Sequence, residues 1–131
     1  MSQIKEYALP FKAILAIDFD STICMSDYPE LGVERENAGD VIRQFVKQGY
    51  GIVINTCRTN EPLAAAIVWL RDNNIPYHYV NCNFPHLIEY FNSDCRKISA
   101  DIYIDDKCLG GLPLWGDIYD IITKKFKENT D

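Results

Sequence analysis

Apolar runs and helix-spaced apolar positions alternate along the chain. Ala13 to Ile17 is uninterrupted apolar sequence, too short for a membrane span and too continuous for a half-exposed strand, so it predicts a buried central strand of a parallel sheet. Residues 23–36 carry neither a helical nor a strand period and contain Pro29 and Gly32. They predict an irregular loop over the end of that strand, free to act as a flap. Ala38, Val41, Ile42, Phe45 and Val46 then fall on one face at helical spacing and stop before Gly49, a residue suited to the position just past a helix end.

The run GIVIN at 51–55 predicts a second strand, delivering Thr56, Cys57 and Arg58 to its carboxyl end. Thr59 or Asn60 can cap the next helix and Pro62 fits its first turn. Leu63, Ile67, Val68 and Leu70 supply an inner side before Asn73 and Asn74 end it. Tyr77–Val80 predicts a third strand. In Phe84–Phe91, Leu87, Ile88 and Phe91 favour a short helix over the loop suggested by Pro85 and the nearby asparagines. Ile98–Asp106 predicts a fourth strand. Beyond the break at Gly110, Gly111 and Pro113, a closing helix places Ile118, Ile121, Ile122 and Phe126 inward and frays into Lys127–Asp131. Strand and helix alternate throughout, which predicts an α/β fold: a three-layer, Rossmann-like parallel sheet with right-handed crossovers and helices on both faces.

At 131 residues the chain predicts one domain, 1–131, and its 47% hydrophobic and 24% charged residues suit a globular protein with a real core. The net charge of −6 disfavours a long footprint on nucleic acid, whose affinity comes largely from Lys and Arg on phosphates. It leaves room for a phosphorylated small molecule held by a metal ion and a few local cations. No apolar run approaches a spanning helix, and Met1–Pro10 contains Lys5 and Glu6 without a signal-peptide core, so no membrane partner and a cytoplasmic location are expected. Cys24, Cys57, Cys82, Cys95 and Cys108 are odd in number and form no CxxC pair, which predicts reduced, structural thiols. A catalytic thiol at Cys24 or Cys57 would need a base, and neither His78 nor His86 has a context that supplies one.

The polar residues of interest stand where strands end. Asp18 and Asp20 follow the first strand, Thr56 the second, and Asp105 and Asp106 the fourth. In an open α/β sheet the crevice beyond the carboxyl ends of the strands is where ligands bind. Turns also favour acidic residues for purely local reasons, but clustered carboxylates repel one another unless something positive sits among them. A hard divalent ion such as Mg²⁺ takes one or two carboxylates, waters and a substrate phosphate. The hydroxyl and a cation from Arg58, Arg96, Lys97 or Lys107 suit the other phosphoryl oxygens. Asp101 stands at the opposite end of the fourth strand and is left out.

The order DFDST, INT, a lysine and then ADIYIDD resembles the four motifs of the haloacid dehalogenase superfamily, in its phosphatase branch, across residues 13–107. The resemblance implies that Asp18 is a nucleophile forming an aspartyl-phosphate and that Asp20 is the general acid and base. An aspartate at position 20 points to phosphate ester hydrolysis rather than dehalogenation or transport. Thr56 would hydrogen-bond the transferring phosphoryl group and Lys97 would pair with it, with Arg96 and Lys107 as nearby alternatives. Mg²⁺ would be held by Asp18, the backbone carbonyl of Asp20 and Asp105, with Asp106 acting through water or orienting the site. Thr22 and Ser21 would order the turn after the nucleophile, with backbone donors there touching the phosphate, and Arg58 would reach a second substrate anion. The gaps at 23–36 and 81–96 have no room for the cap domain many members carry, so a capless enzyme is expected, its site covered by a large substrate or by a neighbouring subunit of a homo-oligomer. Asp106-Lys107 followed by Trp115 is similar to the polynucleotide-phosphatase branch, a reading the acidic charge weakens. Two rivals are a phospho-aspartate receiver domain, in which the acidic pair precedes the phospho-acceptor, and a non-catalytic binding module on the same fold.

Overall fold

The computed structural model describes residues 11–127. The readings of the leader region Met1–Pro10 and of the end of the tail, 128–131, fall outside those residues. Four strands, β1 (Ile14–Ile17), β2 (Gly51–Ile54), β3 (Tyr79–Val80) and β4 (Ile102–Ile104), form one sheet in the order β3-β2-β1-β4, every pair parallel. Between and after them lie α1 (Ala38–Lys47), α2 (Asn60–Asp72), α3 (Pro85–Phe91) and α4 (Trp115–Lys125). β1 is central, as its unbroken apolar run requires, and all of its residues are buried. Ile17 pairs with Ile54 on one side and Ile104 on the other, so three strands end level at one edge.

The alternating side chains of β1 divide the core in two. Leu15 and Ile17, with Ile52, Ile54 and Ile104, pack against Ala38, Ile42 and Phe45 of α1, Ala66 and Leu70 of α2, and Trp115, Ile118 and Ile122 of α4. Ile14, Ala16 and Val53 pack on the opposite face against Phe84, Leu87 and Ile98. Three helices thus cover one face and α3 the other, giving the expected three layers with unequal cover.

α1 ends before Gly49, whose φ of 95° lies in the region glycine adopts without strain. Thr59 stands at the N-cap of α2 but makes no side-chain capping hydrogen bond. The inner face of α2 differs from expectation: Ala66 and Leu70 are buried and Val68 is 43% exposed, because this helix flanks a sheet whose outer strand, β3, is only two residues long. Ile121 of α4 is likewise 58% exposed. It borders a groove along the free edge of β4 that is also lined by Ile102, Ile104 and Leu112.

The 23–36 segment is not the free loop its sequence suggests. Ile23 and Cys24 are fully buried, Met25 N–H donates to the Val33 carbonyl and Arg35 N–H to the Ile23 carbonyl, and Trp69 Nε1 donates to the Gly32 carbonyl at 3.0 Å. A Cβ at Gly32 would lie 1.8 Å from the Met25 carbonyl oxygen, so only glycine lets the two arms of this strap approach. Neither this segment nor 81–96 contains a separately folded cap.

Candidate active site

Where β1, β2 and β4 end together, the chain turns out of the sheet. The last rung there is the Asp18 N–H donating to the Ile104 carbonyl, beside Asn55 N–H donating to Ile17. Phe19 goes into the core, against the edge of Trp69. Its insertion separates Asp18 from Asp20 and sends the two carboxylates to different neighbours.

Asp18 meets the β4 end. One carboxylate oxygen from each of Asp18, Asp105 and Asp106 lies within 4.8 Å of the other two. Thr22, wholly buried, ties them together: its Oγ1 lies 3.0 Å from Asp18 Oδ2 and 3.2 Å from Asp106 Oδ1, and it accepts the Asp106 N–H at 2.9 Å. Lys107 N–H donates to Asp105 Oδ1 at 2.9 Å, and Cys108 N–H to the Asp105 carbonyl, closing a turn that holds both acids. Burial, a hydrogen bond with Asp106 and the charge of Asp105 push the Asp18 carboxyl up to about 7. Burial acts the same way on Asp106, but the hydrogen bond from Asp18 and the charge of Lys107 outweigh it and hold that carboxyl below its ordinary range. A proton on Asp18 therefore does, in the cation-free arrangement, what a cation would do better. Three half-buried carboxylates with converging oxygens fit a hard divalent ion.

Asp20 meets the β2 end. Arg58 Nε donates to Asp20 Oδ2 at 2.8 Å and Nη2 to Oδ1 at 2.7 Å, a forked pair. The guanidinium is 1% exposed, flanked by the rings of Phe19 and Tyr28, and its Nη1 donates to the carbonyls of Pro29 and Pro62. Burial resists ionisation of Asp20, but the hydrogen bonds and charge of Arg58 prevail and hold its carboxyl below the usual range. The substrate-binding role expected of Arg58 is therefore corrected: the side chain is enclosed and committed to Asp20 and two carbonyls. The backbone donors expected to touch phosphate at Ser21 and Thr22 are likewise engaged within the turn, the Ser21 N–H on the Cys24 carbonyl at 2.7 Å and the Thr22 N–H on the Phe19 carbonyl at 3.3 Å, while the Thr22 hydroxyl lies between Asp18 and Asp106. The Asp20 carboxylate is not among the clustered oxygens, so any part it plays at the metal falls to its backbone carbonyl.

Thr56 lies half-buried past β2, its N–H held by Asn81 Oδ1 at 2.8 Å. Its Oγ1 accepts the Arg58 N–H at 3.1 Å, which leaves the hydroxyl proton available to a ligand. Lys97 is exposed, and its Nζ stands 5.2 Å from the centre of the Tyr103 ring. Among the described residues it makes no ion pair with the acidic cluster, whereas Lys107 Nζ is 3.8 Å from Asp106 Oδ2. Asp101 caps the far end of the sheet by accepting the Ile14 N–H. All five cysteines are free: Cys24 is buried with its thiol bonded to Gly32, and Cys57 is exposed.

Two supports were not legible in the sequence. Trp115 Nε1 donates to the Thr22 carbonyl at 2.9 Å, seating the turn from below. Asn83, 2% exposed, donates to Asp94 and the Cys95 carbonyl and accepts the Ser99 N–H, fixing the segment that precedes β4. The apolar periodicity of the closing helix starts at Ile118 and passes over Trp115, and it offers no signal for a buried asparagine.

No family model and no curated protein matches the chain. Among solved structures, it is similar to a conserved protein from Bacteroides thetaiotaomicron, with 33% identity and a TM-score of 0.78 over 91% of this chain and 95% of that one. A target protein from Vibrio cholerae aligns over 87% of this chain and 96% of its own at 20% identity and a TM-score of 0.47. At the identity and coverage of the first match, the chain belongs to the same family as the conserved Bacteroides protein.

Proposed function

We propose that this protein is a Mg²⁺-dependent phosphohydrolase of the haloacid dehalogenase type, capless, acting on a phosphate monoester through an aspartyl-phosphate on Asp18. The observation that carries the reading is the convergence of oxygens from Asp18, Asp105 and Asp106 within 4.8 Å at the carboxyl ends of β1 and β4. Asp18, Asp105 and Asp106 would hold a divalent cation there, which would neutralise the acids and screen an incoming phosphate dianion. Asp18, freed of its proton, attacks phosphorus and the ester P–O bond breaks. Thr56 donates its free hydroxyl proton to a phosphoryl oxygen. Asp20, once turned out of its fork with Arg58 and protonated, gives that proton to the departing alkoxide, then takes one from the water that opens the aspartyl-phosphate and releases inorganic phosphate. The family order of motifs, DxD first and adjacent acids last, favours this chemistry over a receiver domain. The same reading places the protein in the cytoplasm, in keeping with its five free cysteines, with a phosphorylated small molecule as substrate.

The test is hydrolysis of an aryl phosphate, whose leaving group needs little protonation. Activity is expected with Mg²⁺ and none with excess chelator. Asp18→Asn is expected to remove turnover while its circular dichroism stays that of the wild type, since amide and carboxylate are nearly isosteric. Full turnover in chelator, or wild-type turnover by Asp18→Asn, would refute the reading.

A further inference from the structure

Arg35, where the strap runs into α1, is half-buried and makes no ion pair among the described residues. Its backbone is fixed: the N–H donates to the Ile23 carbonyl at 2.7 Å and the carbonyl accepts the Ala38 N–H at 2.9 Å. Its Nη2 donates to the Ser21 carbonyl at 2.6 Å, but Nε, on the same edge of the guanidinium, is buried with no hydrogen-bond partner among the described residues. Arg58 shows what that edge does when it is satisfied, Nε and Nη2 together gripping the Asp20 carboxylate. A charged donor shut away from water and left unpaired costs free energy. The acids beside Arg35 in the chain do not relieve it, since Glu34 Oε2 accepts the Gly39 N–H at 2.6 Å and Glu36 is exposed.

The same residue lines a recess of about 410 Å³ between the end of the strap and the start of α4, with Met25, Leu114 and Trp115 as its apolar walls. That volume suits a small organic molecule. Leu114, at the N-cap of α4, makes no side-chain capping hydrogen bond, so the positive end of that helix stands uncapped at the same rim. The recess adjoins the candidate active site without being part of it. Arg35 holds the Ser21 carbonyl and Trp115 Nε1 the next one, that of Thr22, whose hydroxyl joins Asp18 and Asp106. We propose that this recess is a second binding site, in which Arg35 takes the carboxylate or phosphate of a small organic anion. The planar guanidinium fork matches two oxygens of such a group, and Nη2 has a second N–H to give while it keeps Ser21. The proposal stands apart from the phosphohydrolase reading, since it needs neither metal nor turnover.

Calorimetric titration of the metal-free protein with inorganic phosphate, at pH 8 and low ionic strength, tests the proposal. Without a cation the three clustered carboxylates repel a phosphate dianion, so the recess is left to bind it. Saturable binding of one phosphate per chain is expected. Arg35→Gln, which loses the fork, should weaken it about tenfold to a hundredfold, the effect of losing charged hydrogen bonds. Leu114→Asp, at a position 73% exposed, sets a carboxylate at the rim without touching Arg35 or its bond to Ser21. It should weaken phosphate about threefold to fivefold. No binding by the wild type, or full affinity in either variant, overturns the proposal. The source of the anion is read from hydrolysis of phenyl phosphate and 4-carboxyphenyl phosphate in Mg²⁺, the one arm that rests on the phosphohydrolase reading. A KM lower for the carboxylated ester in the wild type but not in Arg35→Gln makes the anion part of the substrate. Equal KM values, beside phosphate binding by the metal-free protein, make it a separate small molecule. No turnover of either ester would sink the phosphohydrolase reading and leave the anion site to the metal-free titration.

Discussion

Burial, helped by the hydrogen bond with Asp106 and the charge of Asp105, raises the Asp18 carboxyl against the lowering pull of the Thr22 hydroxyl, and that balance sets the protonation of the site. With no cation present, Asp18 keeps a proton up to a pH of about 7, whereas in the unfolded chain an aspartate releases it near 3.8. Between those values the native state binds more protons than the unfolded one, so the contribution of this group to stability falls as pH rises from about 4 to about 7. Asp20 has the opposite sign: held down by Arg58, it contributes stability above about pH 4 and loses it only in more acid solution. It is therefore constant across the window in which Asp18 titrates. Metal and proton compete for Asp18. Thermal melts at several pH values should show Mg²⁺ raising the melting temperature more at pH 8 than at pH 5.5, with about one proton released per ion bound near neutrality. A Mg²⁺ effect independent of pH over that range would contradict the role given to Asp18.

The strap at 23–36 is the element on which the sequence misleads most. Its lack of period and its Pro29 and Gly32 suggest freedom, yet Gly32 is there because two backbone segments touch, and Tyr28 and Pro29 close over Arg58. Gly32→Ala should therefore force the arms apart, at a cost of about 1–3 kcal/mol as for other overpacked sites, and loosen the cover on the Asp20–Arg58 pair. Denaturant titration followed by tryptophan fluorescence would register both the loss and the disturbed Trp69, whose indole N–H is bonded to the Gly32 carbonyl. An unchanged midpoint would mean that the strap yields without strain. The regular elements were more legible: β1, α1 and β2 lie within a residue or two of their expected bounds, because their periods are long and their ends marked by Gly49 or by charge. Boundaries failed where tertiary contacts decide them. β4 is shorter than the apolar pattern implies, since the Asp101 carboxylate, not a strand rung, takes the Ile14 N–H. The inner face of α2 departs from its apolar period because burial there follows the position of the helix at the sheet margin, which local periodicity does not encode.

At the scale of the whole molecule, parallel topology gathers at one edge residues that are more than 80 positions apart, such as Thr22 and Asp106. This explains which parts of the site could be read in advance. Asp18, Asp105 and Asp106 were legible because Asp18 and the adjacent pair Asp105-Asp106 each directly follow an apolar run, and strand ends in a parallel sheet converge. Arg58 and Lys97 were not, because where a long side chain goes depends on what else occupies the space, here Tyr28 over one and Tyr103 under the other. The central claim is that Asp18 carries the phosphoryl group in a reaction that Asp20 completes. It is tested most directly by rapid-quench mass spectrometry of the Asp20→Asn protein mixed with an aryl phosphate and Mg²⁺. Loss of the base should slow hydrolysis of the intermediate by ~10²–10⁴-fold, the usual contribution of general acid–base catalysis, while the first step is little affected. The account predicts one added phosphate, located on Asp18, with a burst of aryl product before a slow steady state. No phosphate on Asp18, or a long-lived phosphorylated Asp18 in the unmodified protein that turns over poorly, would contradict it.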